Sequence, residues 1–191
     1  MLNIPRSFYL NDTLSVAKAL LGKILVRYLN GKRLAGIIVE TEAYLENEES
    51  CHAYRGITAR TKTMFEEGGI AYVYLIYGMY YCLNIVTESQ GKGCAVLIRA
   101  VEPVDGIEIM QQLRKKTGLH DLASGPGKLA QAFNITKLDN GLDIAAGTAL
   151  TIENHNDKDP EIMTTPRIGI KKAKDLPYRF FINGNQFVSQ G

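Results

Sequence analysis

Two glutamates, Glu40 and Glu42, stand two residues apart at the end of an apolar run that has the character of a β-strand. In a strand, residues two apart share a face and lie about 7 Å from each other. Two carboxylates on one buried face are costly without a function. An ionised glutamate in such surroundings is suited to act as a general base that activates water. The alternative is that both carboxylates face solvent.

Aromatic side chains are predicted beside these carboxylates. Tyr44 lies two residues beyond Glu42 and shares its face, His52 follows a short acidic loop, and Tyr74 belongs to a tyrosine-rich segment. Flat π faces attract electron-poor and cationic rings by stacking and by cation–π contact. The set therefore predicts a pocket for a planar ring, and a nucleobase, above all a positively charged alkylated purine, fits that description.

The segment Ala71–Asn84 holds five of the ten tyrosines of the chain. Its aromatic and β-branched content predicts two strands, with Tyr77-Gly78 at the turn of a hairpin. Alternation places Tyr72 and Tyr74 on one face. A large ring at a hairpin tip is unusual, because Asn, Asp and Gly normally hold that position. The alternative is a tyrosine-rich core hairpin whose hydroxyls find partners inside the protein.

Arginine and lysine side chains are the next candidates. Arg99 follows the apolar run AVLI, and a desolvated arginine there needs an acidic partner, for which Glu40 and Glu42 are available. Basic side chains that could contact the phosphates of duplex DNA occur in three further places: Thr58–Lys62, Lys128 in a glycine-rich turn, and Lys171–Lys174. The alternative for each is a basic cluster that only faces solvent.

The elements that must position these residues are mostly strands. Alternation and turn residues predict strands at Lys23–Leu29, Leu34–Tyr44, Cys94–Ala100, Ala149–Glu153, near Arg167–Ile170, and at Arg179–Ile182. Asn30-Gly31 joins the first two as a hairpin. Helices are predicted at Leu14–Leu21, with Asn11-Asp12 as its cap, and at Pro103–Leu113 and Leu129–Phe133, and a polar loop at Asn154–Pro160.

The composition is that of an ordinary globular protein, with 46% hydrophobic residues, 22% charged residues and a net charge of +2 over 191 residues. A chain of this length can fold as one domain, 1–191, without a metal or a disulfide. Cys51, Cys82 and Cys94 are an odd set without Cys-x-x-Cys spacing, which predicts reduced thiols in the cytoplasm. The N-terminus lacks a long apolar stretch, so we expect no signal peptide and no membrane partner.

Together these residues resemble the alkyladenine (3-methyladenine) DNA glycosylase family. The similar blocks cover nearly the whole chain in the family's order: Val39–Tyr44, the His52 loop, Arg55–Phe65, Tyr72–Asn84, Ala95–Pro103, Ser124–Leu129 and Arg167–Ile170. The resemblance implies a single α+β domain with a curved, open-barrel-like antiparallel β-sheet, surrounding helices and a protruding β-hairpin. It implies no metal and no cofactor, and double-stranded DNA containing damaged purines as the partner.

The resemblance also implies roles for single residues. Glu42 would be the general base for the hydrolytic water, and Arg99 would help to hold that water. Tyr44, His52 and Tyr74 would enclose the extruded base. Asn84 would lie at the pocket floor and disfavour unmodified guanine through its exocyclic amine.

Further residues would hold the DNA open. The resemblance implies that Tyr77 enters the minor groove and fills the gap left by the flipped nucleotide, flanked by Met79 and Tyr80. Thr58, Arg60 and Met64 would contact the DNA beside this ring, with Lys128 as a further backbone contact. An enzyme that acts on a stacked base needs such a device, because extruding the base has a cost of a few kcal/mol.

The expected reaction is release of an alkylated or deaminated purine by a monomer, in the class of 3-methyladenine, 7-methylguanine, hypoxanthine and ethenoadenine. No lysine stands beside Glu42 as a Schiff-base nucleophile, so we expect hydrolysis by water that leaves an abasic site without strand cleavage.

Three other interpretations stay open. A glycoside hydrolase also uses two carboxylates and aromatic platforms, but Glu40 is badly placed to act from the opposite side of the bond. A single-strand binding module would stack bases on Tyr72, Tyr74 and Tyr77, yet it gives Glu42 no role. A helix–hairpin–helix glycosylase is suggested by the turn Gly125-Pro126-Gly127-Lys128, although the flanking sequence is rich in strands.

Overall fold

The strand that carries both glutamates is the longest in the protein and lies at the centre of its sheet. In a computed structural model, which describes residues 2–155 and 160–190, this strand β2 covers Lys32–Tyr44. It pairs antiparallel with β1, Ile24–Leu29, through the predicted Asn30-Gly31 turn. Both turn residues have left-handed φ angles of 49° and 73°, which suit the right-handed twist of a two-residue hairpin.

The rest of the sheet is antiparallel and curls into a half-barrel. Its further strands are β3 Ala71–Ile76, β4 Tyr80–Val86, β5 Ala95–Asp105, β6 Leu150–Glu153, β7 Ile162–Thr165 and β8 Arg179–Ile182. The order of strands in the sheet is β3-β4-β5-β2-β1-β6, and β8 pairs with both β2 and β7.

The curl begins where β2 changes neighbours. The first half of β2 pairs with β1 as far as Ile37, and residues Glu40–Glu42 pair with β8 instead. The pairing of β2 with β5 shifts register on both sides of Glu40, as β-bulges do. Bulges bend a strand and re-aim its side chains. The irregularity coincides with the two glutamates, both of which are buried and contact Arg99.

Helices cover the sheet and close its core. Within the described residues they are α1 Arg6–Tyr9, α2 Thr13–Ala19, α3 Ile107–Arg114, α4 His120–Ala123 and α5 Pro126–Ala132, with 3₁₀ helices at His52–Arg55, Lys62–Phe65 and Lys137–Asp139. The predicted cap of α2 is confirmed, since the Asp12 side chain accepts a hydrogen bond from the Ser15 amide at 3.0 Å. The fold is thus α+β, with the predicted curved antiparallel sheet and projecting hairpin.

Several predicted elements differ from the structure. The helix predicted at Pro103–Leu113 begins only at Ile107, because β5 continues to Asp105 paired with β2, and Gly106 then turns the chain with a φ of 70°. The helix predicted from Leu129 begins earlier, at Pro126, where a proline suits the first helical position.

The strand predicted near Arg167–Ile170 is wrong. This segment is a loop that follows β7, because the Arg167 side chain turns inward to Glu48 and the Ile168 amide donates to Glu42 instead of to a neighbouring strand. Of the polar loop predicted at Asn154–Pro160, residues 156–159 lie outside the described part of the chain.

Candidate active site

Glu42 is fully buried, and three donors converge on its carboxylate. The Tyr44 hydroxyl donates to Oε2 at 2.8 Å and the Ile168 backbone amide donates to Oε1 at 2.8 Å. Arg99 Nη1 lies 3.2 Å from the same Oε1. These three contacts compensate the charge of the buried carboxylate and fix both of its oxygens. The alternative that the glutamates face solvent is wrong.

Glu40 is equally buried but is enclosed by a different set of partners. It accepts from Arg99 Nε at 2.9 Å and from Arg179 Nε at 2.6 Å. Near the C-terminus, the Ser189 amide and hydroxyl donate to it at 2.8 Å and 3.0 Å. Arg99 therefore bridges both glutamates, which confirms the predicted acidic partner. The two carboxylates differ in their other partners: Tyr44 and Ile168 beside Glu42 line the cavity described below, whereas Arg179 and Ser189 beside Glu40 do not.

The surroundings set the charges of Arg99 and Tyr44. Burial lowers the pKa of Arg99, but Glu42 and Glu40 act in the opposite direction and bring it above its ordinary value. Burial, together with the negative charge of Glu42, raises the pKa of Tyr44 far above that of a free tyrosine. Arg99 is thus a permanent cation and Tyr44 a permanent hydroxyl donor beside Glu42.

A cavity of about 400 Å³ opens in front of these groups. This volume lies within the range of small-molecule sites. Three of its lining rings are in mutual contact, because His52 meets Tyr74 edge-on at 4.6 Å between centroids and Tyr72 lies 5.6 Å from Tyr74. Glu42 does not itself line the cavity and lies behind Tyr44 and Arg99, which do. The structure thus brings the predicted carboxylate and the predicted rings together.

Asn84 and Met64 complete the wall. Asn84 is 4% exposed, lines the cavity and donates through Nδ2 to the Tyr72 carbonyl at 3.1 Å. The resemblance places Met64 beside Thr58 and Arg60 on the DNA-facing surface, but it is 2% exposed and lines the cavity. The 3₁₀ helix that carries it packs into the cluster around Tyr72, so its thioether faces the cavity and not the surface.

His52 is held as a neutral ring between Arg60 and Tyr72. Arg60 Nη2 lies 3.3 Å from His52 Nε2, and an arginine can only donate. Nε2 must therefore accept, which leaves the hydrogen on Nδ1, 3.0 Å from the Tyr72 hydroxyl. Burial, and then the charge of Arg60, lower the pKa of His52 to about 4.

The low pKa of His52 predicts a loss of stability in mild acid. The unfolded chain binds a proton at His52 below its ordinary pKa of 6.5, whereas the folded chain does so only near pH 4. Stability should therefore fall between pH 6.5 and pH 4, and His52→Gln should remove part of that fall. The measurement is the titration of the His52 ring by NMR, with denaturant unfolding of both proteins at each pH. A midpoint near pH 6.5 would contradict this prediction.

The hairpin tip lies at the mouth of the cavity and carries an exposed ring. Tyr77 is 77% exposed and has a left-handed φ of 54°, followed by Gly78 at 70°. Met79 and Tyr80 follow it and are 66% and 45% exposed. The alternative, in which every tyrosine of the hairpin belongs to the core, is wrong at the tip, although Tyr72 is fully buried.

Three other residues are predicted to contact the DNA. Thr58 and Arg60 are exposed, and Lys128 is half-buried beside Ser124.

Arg167 is central to the site, although no role was predicted for it from the sequence. It is fully buried, pairs with Glu48, and donates to the Ala43 carbonyl at 2.8 Å and to the Ser50 hydroxyl at 2.9 Å. These contacts fix the loop between Tyr44 and His52. Arg99 stands inside the apolar run AVLIRAV, whereas Arg167 follows Thr164-Thr165-Pro166 and has apolar residues only after it, so the sequence signal for its burial is weaker.

Within the described ranges 2–155 and 160–190, no three His, Cys, Asp or Glu side chains gather as metal ligands do. Over the same ranges, no helix has the length and apolar character needed to span a bilayer.

A curled antiparallel sheet with a buried carboxylate behind an aromatic cavity, and an exposed ring beside that cavity, suits an enzyme that acts on the bases of DNA. Comparison with known proteins gives the same class. The protein-family model for methylpurine-DNA glycosylase (MPG) matches residues 7–186, and the chain belongs to this family.

Curated relatives are similar to this chain over nearly their whole length. A protein of Carboxydothermus hydrogenoformans is 50% identical over 188 residues, which cover 98% of each chain. One from Francisella tularensis subsp. tularensis is 51% identical, covering 93% of this chain and 94% of its own. A third, from Methanocella arvoryzae, is 50% identical over 98% of this chain and 96% of its own. All three bear the name "Putative 3-methyladenine DNA glycosylase". The protein is therefore a DNA glycosylase of base-excision repair, with DNA as its substrate.

Proposed function

We propose that this enzyme extrudes alkylated or deaminated purines from duplex DNA and hydrolyses their N-glycosidic bond with a water molecule activated by Glu42. The observation that carries this proposal is the position of the Glu42 carboxylate, held by Tyr44, Ile168 and Arg99 directly behind the ring-lined cavity. A passive stacking surface gives this carboxylate no role. A glycoside hydrolase would need a second carboxyl group across the bond, whereas Glu40 is enclosed by Arg99, Arg179 and Ser189.

The cavity recognises the base by stacking. Tyr44 and Tyr74 offer π faces, and His52 closes the side as a neutral ring. Such faces favour planar rings that are electron-poor or cationic, which describes 3-methyladenine and 7-methylguanine, and hypoxanthine and ethenoadenine have similar shapes. Asn84 in the cavity wall disfavours the exocyclic amine of unmodified guanine.

The reaction forms a bond between the water oxygen and C1′ of the deoxyribose, and it breaks the bond between C1′ and the purine nitrogen. Glu42 accepts the proton that the water loses, and the electron pair of the broken bond leaves with the base. A base that carries a positive charge leaves as a neutral molecule, so its departure is favoured. Arg99 lines the cavity and touches Glu42, and it holds the attacking water as well as the carboxylate.

The product is an abasic site in an uncut strand. None of the described side chains that line the cavity is a lysine, and a strand-cleaving glycosylase uses an amine that forms a Schiff base with the sugar. The purine-specific enzyme would therefore be monofunctional.

The surface around the cavity opens the duplex. Tyr77 enters the stack at the gap left by the extruded nucleotide, with Met79 and Tyr80 in the minor groove beside it. Thr58, Arg60 and Lys128 contact the backbone. We propose that the enzyme acts as a monomer. The three buried free thiols suit the reducing cytoplasm.

The decisive test incubates the protein with duplexes that each carry one damaged purine and separates free base from DNA. We expect release of the free base, with the strand remaining intact until alkali cleaves it at the abasic site. Strand cleavage without alkali would contradict the monofunctional mechanism, and retention of every base would contradict the function itself.

Lys128→Ala separates the proposal from a helix–hairpin–helix mechanism. Its half-buried ammonium lies 3.2 Å from the Ser124 hydroxyl, and Lys128 does not line the cavity. We expect a severalfold weaker affinity for DNA and a salt dependence whose slope is lower by about 1, as for one lost phosphate contact. The single-turnover rate at saturating enzyme should change little. A loss of rate comparable to that of a Glu42 variant would instead favour the helix–hairpin–helix interpretation.

A further inference from the structure

Two rings of the cavity each have an arginine over one face. The Arg60 guanidinium carbon lies 5.4 Å from the centroid of Tyr74, and that of Arg167 lies 4.7 Å from the centroid of Tyr44. Neither arginine is among the residues that line the cavity. The two π surfaces offered to a bound base are thus already in contact with a cation from outside.

A cation at one face of a ring changes what the ring attracts at the other. The attraction is electrostatic and arises from the negative ring face. A second cation gains the same attraction but is repelled by the first, because like charges this close still interact at the effective dielectric of a protein surface. A neutral base of the same shape does not feel that repulsion.

The two arginines are not equivalent. Arg167 is fully buried and forms an ion pair with Glu48, whose carboxylate compensates its charge. Arg60 is exposed and, within the described part of the chain, forms no ion pair with a carboxylate. Its field reaches the cavity wall, because it helps to lower the pKa of His52. Arg60 is thus the uncompensated cation behind the cavity.

We propose that Arg60 is a specificity-determining residue, whose charge behind Tyr74 weakens the preference of the cavity for positively charged purines relative to neutral ones. This inference rests on the proposed function. It gives Arg60 a role in the selection of substrates in addition to any contact with phosphate, and it explains how one aromatic cavity accepts neutral deaminated purines beside cationic alkylated ones.

The test compares a positively charged base with a neutral base in otherwise identical duplexes. Cationic 7-methylguanine and neutral hypoxanthine are each placed opposite cytosine, and single-turnover excision is measured at subsaturating enzyme. The ratio of the two rates cancels every contribution that is common to both DNAs, including phosphate contacts. We expect Arg60→Gln to raise the ratio of 7-methylguanine to hypoxanthine excision about threefold to tenfold, the size of a cation–π contact.

Two variants control for the lost charge. Arg60→Lys keeps a cation at the rim, so its ratio should stay within about twofold of the wild-type ratio. Arg55→Gln removes an equally exposed arginine from the same segment, and it should leave the ratio unchanged. Thermal unfolding of each variant verifies the fold.

The outcomes are distinguishable. An equal loss of both rates in Arg60→Gln, with the ratio unchanged, would assign Arg60 to the DNA backbone alone and overturn this inference while leaving the glycosylase proposal intact. A lower ratio would overturn it as well. Failure of the wild-type protein to release either base would overturn the proposed function itself.

Discussion

Replacement of Glu42 by glutamine should abolish base release while leaving DNA binding intact. The amide cannot take a proton from water, and general-base catalysis is worth about 10²- to 10⁴-fold. We expect single-turnover release of the damaged base to fall about a thousandfold or more. Affinity for lesion-containing duplex should stay within a few fold of wild type, because the rings and the hairpin are untouched.

The Glu42→Gln variant should also fold. The oxygen of the new side-chain amide can still accept the hydrogen bond from the Ile168 backbone amide, and Arg99 retains its contact with Glu40. Glu108→Gln, at an exposed position of α3, removes the same charge far from the cavity and should retain full activity. Normal turnover by the Glu42 variant would mean that another group activates the water, and the assignment of the general base would be wrong.

The two glutamates show what the spacing of residues along a strand can and cannot predict. Their spacing on β2 predicts that both are buried on one side, and this is confirmed. The spacing cannot say which carboxylate stands beside the cavity, because that depends on the register shifts around Glu40 and on Ser189, which is 149 residues away in the chain. The resemblance to a family, and not the alternation, singles out Glu42.

Local chemistry made the turns predictable. Asn30-Gly31 and Tyr77-Gly78 both adopt the left-handed φ angles of a two-residue hairpin, and their residue types or their place between strands indicate this directly. The end of β5 was not predictable in the same way. The stretch from Pro103 is extended because β2 pairs with it across the sheet, and no local signal records that pairing.

The directions of two side chains, Met64 and Arg167, could not be predicted from the sequence either. Met64 sits in a segment rich in exposed polar residues, yet the packing of its 3₁₀ helix against Tyr72 turns it into the cavity. Arg167 lies in a stretch that resembles a strand, but its ion pair with Glu48 holds the segment as a loop beneath Tyr44. In both cases a contact between distant segments overrides the local pattern.

Replacement of Tyr77 by alanine should leave the fold intact and impair extrusion of the base. The ring is 77% exposed, so its removal leaves no cavity in the core. An extruded nucleotide leaves a gap in the stack, and an inserted ring recovers part of an unstacking energy of a few kcal/mol. We expect excision from duplex DNA to fall about tenfold to a hundredfold, since each 1.4 kcal/mol corresponds to a factor of ten. Excision from single-stranded DNA, where no gap must be filled, should change much less.

Controls on the same hairpin distinguish the ring from the scaffold that carries it. Tyr77→Phe keeps the ring and should remain close to wild type, and Leu75→Ala removes a 45% exposed apolar side chain from the neighbouring strand position without touching the tip. Affinity for a duplex that contains an abasic analogue reports on gap filling directly, because no base has to be extruded. If Tyr77→Ala binds that duplex as tightly as the wild-type protein does, the ring does not act as a wedge, and the exposed tyrosine must be explained by a contact other than insertion into the stack.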